Sequence, residues 1–284
     1  MMNRQQPIII RDVASLRREI ALWHKADLKV AVVPTMGALH DGHLRLVQRG
    51  FEKAQRVVTT IFVNPKQFAP HEDLGRYPRD ETGDLAKLAT LGTSLIYAPD
   101  PDQIYGEGFA TAIHLQGPAK VGLEDKFRPQ FFDGVATIVA KLFAQTAADY
   151  AMFGEKDYQQ LKVVTRMARD LDLAVEVIGV ATMREGDGLA MSSRNAFLSG
   201  QERLQATAIF RVLNDAATQI RGGDEPSKAA GAAERALTKQ GFKVDYIAAR
   251  NAETLAEPVG AGEPLRLLAA AWLGKTRLID NIAV

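Results

Sequence analysis

Lys29-Val30-Ala31-Val32-Val33-Pro34-Thr35-Met36-Gly37-Ala38-Leu39-His40-Asp41-Gly42-His43 is the stretch from which the fold is read. An apolar, β-branched run leads into a glycine-containing turn, and the pattern after it is helical. A strand that turns and opens a helix presents backbone N–H groups and a positive dipole end to an anion. Two of the chain's five histidines, His40 and His43, fall three residues apart there. On a first helical turn they face the same way. The arrangement suits the phosphates of a nucleotide.

Outward from this stretch, residues 1–180 alternate short β-branched runs with longer helical patterns, which predicts a parallel sheet covered by helices. Strands are expected at Ile8–Ile10, Val30–Val33, Val57–Val63, Ser94–Tyr97, Ala110–Leu115, Tyr150–Phe153 and Val175–Val180. Helices are expected at Ser15–Lys25, His43–Gln55, Asp80–Leu91, Phe132–Gln145 and Tyr158–Leu171, with Ser15 as a start and Gly92 as a stop. Past a boundary near Ala181–Gly188 the grammar changes. Helices at Glu202–Arg221 and Ser227–Gln240 precede strands at Lys243–Ala249, Leu265–Leu273 and Arg277–Val284. The fold class is therefore α/β: a Rossmann-like doubly wound parallel sheet, with a smaller C-terminal α+β domain over 181–284. Two connections, Asn64–Pro78 and Gln116–Gln130, are too long for simple turns and are read as binding loops or lids beyond the strand ends.

Composition narrows the function. With 35 Lys+Arg against 34 Asp+Glu, the chain lacks the basic excess of a nucleic-acid binder. It contains no cysteine, which removes disulfides, thiolate nucleophiles and thiolate ligands. No apolar run is long enough to span a membrane, and no signal-peptide core is present. A cytoplasmic protein is expected.

Four clusters could carry chemistry. In the first, His40 and His43 can donate hydrogen bonds to phosphate oxygens or pass a proton to a leaving group, the alternative being a cap and a packed ring. The second is Asp187-Gly188-Leu189-Ala190-Met191-Ser192-Ser193-Arg194-Asn195, where two hydroxyls and a guanidinium could clamp phosphate; a polar hinge is the structural alternative. The third is Phe153-Gly154-Glu155-Lys156-Asp157-Tyr158-Gln159-Gln160. Lys156 can stabilise phosphoryl charge, Asp157 can meet a ribose hydroxyl or simply cap the helix, and Gln160 lies one turn further on. In the fourth, Asn64-Pro65-Lys66-Gln67-Phe68, Gln67 can bond a substrate hydroxyl or carboxylate. The pairs Glu72-Asp73, Asp80-Glu81 and Glu124-Asp125 read as solvated or capping charges. Asp84 is a weak candidate to help hold a phosphate-bound Mg²⁺; no dedicated metal cage is evident. P-loop and G-x-G-x-x-G motifs are absent.

Taken together and in this order, the segments resemble the pantoate–β-alanine ligase (pantothenate synthetase) family of the H-x-G-H nucleotidylyltransferase superfamily, over essentially the whole chain. The carrying motifs are Pro34 to His43, Phe62 to Phe68, Tyr77-Pro78-Arg79, Phe153 to Leu161, and Arg184-Glu185 through Asn195. The Gly-Glu-Lys-Asp-Tyr-Gln-Gln string joined to Met-Ser-Ser-Arg-Asn is far more specific than H-x-G-H alone. The resemblance implies that ATP and pantoate form an enzyme-bound pantoyl adenylate and pyrophosphate, and that the β-alanine amine then gives pantothenate and AMP. It further implies that His40 and His43 contact the triphosphate, with His43 the proton donor, and that Lys156 binds the α-phosphate. Ser192, Ser193 and Arg194 would hold pyrophosphate. Met36, Gly37, Gly154, Glu155, Lys156, Asp157, Met183 and Met191 would complete the ATP site, and Gln67 and Gln160 would orient pantoate. Mg²⁺ on the phosphates and a homodimer are expected.

One departure stands out. Where many relatives read Arg-Pro-Gly-His-Phe, this chain has Arg128-Pro129-Gln130-Phe131-Phe132. Two rivals keep parts of the reading: a nucleotidylyltransferase acting on a phosphorylated cofactor precursor, and a nucleotide-sensing or tRNA-binding relic without turnover.

Overall fold

In the computed structural model, residues 7–69, 72–260 and 262–284 are described. The expected 64–78 connection therefore has two residues, 70 and 71, outside the described ones. Strand β1 (Ile8–Ile10) leads to α1 (Val13–Lys25), β2 (Val30–Thr35), α2 (Asp41–Lys53), β3 (Arg56–Ile61), α3 (Glu81–Leu91) and β4 (Leu95–Tyr97). Two single-turn helices follow, α4 (Pro101–Ile104) and α5 (Glu124–Phe127), then α6 (Phe131–Thr146), β5 (Tyr150–Gly154), α7 (Tyr158–Asp170) and β6 (Glu176–Val180). The C-terminal part comprises α8 (Gly200–Gln205), α9 (Ala208–Arg221), α10 (Pro226–Lys239) and strands β7 (Lys243–Asn251), β8 (Leu265–Leu273) and β9 (Thr276–Ala283).

The six N-terminal strands form one sheet in the order β1-β4-β3-β2-β5-β6, and every recorded pairing is parallel. Successive strand residues point to opposite faces, so a sheet covered on both sides needs apolar residues at every position. That is what β2 supplies. Val30 and Val32 join the core under α1, α6 and α7, whereas Ala31 and Val33 join the core under α2 and α3. The chain builds outward from β2 to β3 and β4, then returns to add β5 and β6 on the other side. The strand order thus reverses between β2 and β5, where ligands sit beyond the strand ends in open α/β sheets.

The second sheet, β7-β8-β9, is antiparallel, and α9 and α10 cover it with a core of their own. Leu255 and Leu268 instead pack into the N-terminal core, so the two parts share apolar surface.

Three local expectations need correction. Ala110–Leu115 is no strand: it meets no neighbouring strand among the described residues, and the Ile113 N–H goes instead to Thr137 Oγ1 of α6 at 3.0 Å. The helix expected over Glu202–Arg221 breaks at Ala206–Thr207, because Ile209 N bonds Ala206 O, tightening the ladder at the joint. The first helix starts earlier than Ser15, since Asp12 is its cap and accepts from Ser15 N at 2.8 Å. Gly92 does end α3, in the left-handed conformation that glycine adopts freely.

Candidate active site

The reversal point opens into a cleft of about 670 Å³. It is lined by His40 and His43 after β2, by Gly154 at the end of β5 and Lys156, Asp157 and Gln160 beyond it, and by Gln67 from the loop after β3. Met36, Met183, Met191, Ser192, Ser193 and Arg194 complete the expected set on its walls. Gly37 and Glu155 do not line it. Glu155 is turned away onto Arg266, 3.0 Å distant.

The His40–His43 segment works differently from a bare amide cradle. The Gly37 N–H donates to Thr35 Oγ1, and those of Ala38 and Leu39 to the Asp84 carboxylate at 2.8 and 2.7 Å. Those of Gly42 and His40 donate to ring nitrogens, Nδ1 of His40 at 3.1 Å and Nδ1 of His43 at 3.3 Å. The His43 N–H goes to His40 O. The first-turn amides are therefore largely consumed within the turn. A backbone N–H can only donate, so each ring accepts at Nδ1 and carries its proton on Nε2. The capping box of α2 thus sets the tautomer of both histidines and leaves two Nε2–H donors.

Glycine at position 42 is required by contact: a Cβ there would sit 2.8 Å from the His40 ring. Gly37 combines a φ of +79° with close approach to Asp84, where a Cβ would lie 3.1 Å from Oδ2.

Both imidazoles are held neutral. Burial, then the Lys156 ammonium, pushes His40 down to about 4; burial, then His40 and Lys156, pushes His43 down to about 3. The rings lie 4.1 Å apart between centroids. Close packing and a shared cation both oppose a second positive charge.

Asp84 is 1% exposed, both its oxygens take backbone amides, and it does not line the cleft. It shapes the turn rather than facing a phosphate-bound ion. Among the described residues no group of three His, Asp or Glu is placed to hold a metal. Asp157 heads α7 without a side-chain capping bond. Its carboxylate instead lies 3.8 Å from Lys156 Nζ.

Several residues that matter were not legible in the sequence. Asn64 is 1% exposed, and its amide is fully used. It donates to Gln67 Oε1 at 3.0 Å and Gly134 O at 3.1 Å, and accepts from Tyr105 Oη at 2.6 Å and Lys66 N at 3.3 Å. It therefore fixes the Gln67 amide, whose Nε2 lies against Met36 Sδ. An Asn before Pro signals a turn, and that was the available clue.

Glu72, Asp73 and Glu124 are not solvated charges. Glu72 grips Arg128 at 2.7 and 2.8 Å, and Asp73 grips Arg194 at 2.9 and 3.0 Å. Glu124 takes Arg277 from β9 at 2.7 and 2.9 Å, together with Tyr246 Oη at 2.8 Å. Burial alone would raise the Asp73 carboxyl, but Arg194 outweighs it and holds the group below its ordinary value. Phe131, at the departing position, is buried with the Arg128 guanidinium 3.7 Å above its ring.

The family model for pantoate-beta-alanine ligase matches residues 8–283. A pantothenate synthetase of Rhodopseudomonas palustris (strain BisA53) is 55% identical over 282 residues, 99% of each chain. Pantothenate synthetase 2 of Bradyrhizobium diazoefficiens is 54% identical, again covering 99% of each. Among solved structures, pantothenate synthetase from Thermus thermophilus superposes with a TM-score of 0.90 at 44% identity, covering 97% of this chain and 98% of its own. Pantoate-beta-alanine ligase from Francisella tularensis, complexed with beta-gamma ATP and beta-alanine, gives 0.81 at 29% identity over 98% and 97%.

Proposed function

The chain belongs to the pantoate–β-alanine ligase family, and from that premise we propose how its cleft divides the work. The enzyme condenses pantoate with β-alanine at the expense of ATP, through a bound pantoyl adenylate. In the first step a pantoate carboxylate oxygen bonds to the α-phosphorus as the bond to pyrophosphate breaks. In the second, the β-alanine nitrogen bonds to the acyl carbon, AMP departs, and the amine loses a proton. Neither step needs a covalent link to protein, so positioning and charge stabilisation dominate.

The observation that carries the assignment is convergence: His40, His43, Lys156, Gln67, Gln160 and the 191–194 segment line one cleft at the strand-order reversal. Lys156 meets the α-phosphate and the charge that builds there. Both Nε2–H groups face the triphosphate, and that of His43 donates toward the departing pyrophosphate. Ser192, Ser193 and Arg194 hold pyrophosphate. Met36, Gly154, Asp157, Met183 and Met191 form the remaining ATP walls, while Gly37 and Glu155 support them from behind. Gln67 and Gln160 orient pantoate. Mg²⁺ would ride on the nucleotide's phosphates, where it would neutralise part of their charge.

Residues 1–180 serve as the nucleotide- and pantoate-binding domain and 181–284 as the smaller covering domain, which with the 64–78 loop keeps water from the acyl adenylate. The assembly is a homodimer in the cytoplasm, supported by the family resemblance and the use of ATP; among the described residues no helix is long and apolar enough to cross a membrane.

Incubation with ATP and pantoate, with and without β-alanine, tests the function. Pantoate-dependent pyrophosphate release, then pantothenate and AMP once β-alanine is added, is the expected result. Release that instead requires a phosphomonoester would assign the chain to nucleotidyl transfer.

A further inference from the structure

Asn281 lies in β9 of the C-terminal sheet and is 2% exposed, yet its side chain is committed to the N-terminal part of the cleft. Its Nδ2 donates to two successive carbonyls, Glu155 O at 2.8 Å and Lys156 O at 2.9 Å. Its Oδ1 accepts from Arg266 Nε at 2.7 Å, and Arg266 also takes the Glu155 carboxylate at 3.0 Å. A primary amide is the side chain that can span two adjacent carbonyls while accepting a third bond; a carboxylate offers no donor at all. The turn it holds is a single 3₁₀ turn that lacks a side-chain cap from within, so the constraint on it comes from β9. Asp280, one residue earlier, takes Arg184 through two bonds at 2.7 and 2.8 Å. Arg184 pairs with Ala190 at the base of the hairpin that leads to Ser192–Arg194.

We propose that Asn281 is a positioning residue for Lys156: two bonds from the C-terminal sheet fix the backbone from which the ammonium reaches the α-phosphate. It serves adenylation and acts through Lys156 alone. The inference rests on the role given to Lys156 above. It also gives the C-terminal sheet a fixed part in the chemistry besides covering the cleft, because the same strand holds both the Lys156 turn and the hairpin of the 191–194 segment.

Single-turnover adenylation in the full-length enzyme tests this with Lys156→Ala, Asn281→Ala, Asn281→Asp and the double variant Lys156→Ala/Asn281→Ala. Asn281→Asp keeps the shape and the Arg266 bond while removing both donors, and so carries the test if the alanine variant fails to fold. The Asn281 variants are expected to slow adenylation roughly 10- to 100-fold, the scale of about 1 Å of misplacement, with KM for β-alanine changed less than about twofold. In the Lys156→Ala background the Asn281 substitution is expected to cost less than about threefold more, since residues acting as a unit are not additive. A general loosening of the fold would instead repeat its full cost there. A normal rate in Asn281→Asp beside a slow Lys156→Ala would overturn the inference alone. A normal rate in Lys156→Ala would overturn the Lys156 assignment, and the inference with it.

Discussion

Asp73 holds Arg194 through two parallel hydrogen bonds, its Oδ2 accepting from Nε at 2.9 Å and its Oδ1 from Nη2 at 3.0 Å, across 121 positions of sequence. Its neighbour Glu72 holds Arg128 in the same bidentate way. One short stretch of the loop after β3 is therefore fastened on two sides of the cleft. Such paired carboxylates fix geometry more than single contacts do. Asp73→Asn removes the charge and one acceptor, which loosens the loop and frees Arg194 from its counter-ion. Pantoate-dependent AMP formation in the absence of β-alanine is expected to rise severalfold, as water reaches the acyl adenylate. AMP release at the wild-type level would detach this loop from water exclusion.

The two histidines can be separated from their capping role by chemistry. His40→Asn retains an acceptor for the Gly42 N–H and so preserves the start of α2, whereas His40→Ala removes it at a cost of about 1 kcal/mol. Both lose the Nε2–H. The two variants should differ in melting temperature yet share slowed adenylation, and a normal rate in His40→Asn would reduce His40 to a cap. His43→Ala and Lys156→Ala should each slow adenylation by at least about 10²-fold while the protein stays folded. Near-normal single-turnover rates in both would remove their assigned roles.

Neutral imidazoles leave a mark on acid stability. In the folded chain His40 is pushed down to about 4 and His43 to about 3, below the ordinary value of 6.5. Between those values and 6.5 the unfolded chain binds more protons than the folded one, so stability rises with pH. The contribution is whole above pH about 6.5 and drains away on acidification toward 4 and 3; the loss between pH 7 and pH 5 is no more than about 2 kcal/mol per ring. Urea midpoints at pH 7 and pH 5 check this. The wild type should lose more than His43→Gln does, and equal losses would place the His43 ring in solvent.

How far the sequence could be read follows from the range of each signal. The strands of the large sheet were legible because both of its faces are buried, so β2 and its neighbours are apolar without alternation. Ala110–Leu115, which reads Ala-Thr-Ala-Ile-His-Leu, mixes apolar and polar residues as a half-buried strand does, but it has no partner strand among the described residues, and composition cannot report pairing. The clusters around His40, Lys156 and Ser193 were legible as residue types beside strand ends. Their fastenings were not. Glu72, Asp73 and Glu124 look like any exposed carboxylates until arginines from distant segments are placed beside them. Asn281 carries no local mark at all, because its partners lie 125 and 126 positions away.

Gly134 gives the most local test of how pantoate is held. Helix α6 passes so close to the 65–67 turn that a Cβ at this position would lie 2.3 Å from Lys66 O and 2.8 Å from Gln67 N. Both obstacles are backbone and cannot swing aside, so Gly134→Ala must push the turn off the helix. Overpacking of this kind costs about 1–3 kcal/mol. The displaced turn carries Gln67, and Asn64 would lose its bond to Gly134 O or its hold on the Gln67 amide. KM for pantoate is expected to rise at least about tenfold, the scale of misplacing an orienting group, while that for ATP stays within about twofold. The groups proposed to face ATP hang from β2, β5 and the 191–194 segment, and their recorded contact with this turn is the single one of Met36 Sδ with the Gln67 amide. Steady-state kinetics with each substrate varied in turn decides the matter: an equal rise for ATP and pantoate would mean that the whole cleft had moved, and an unchanged pantoate value would take Gln67 out of pantoate binding.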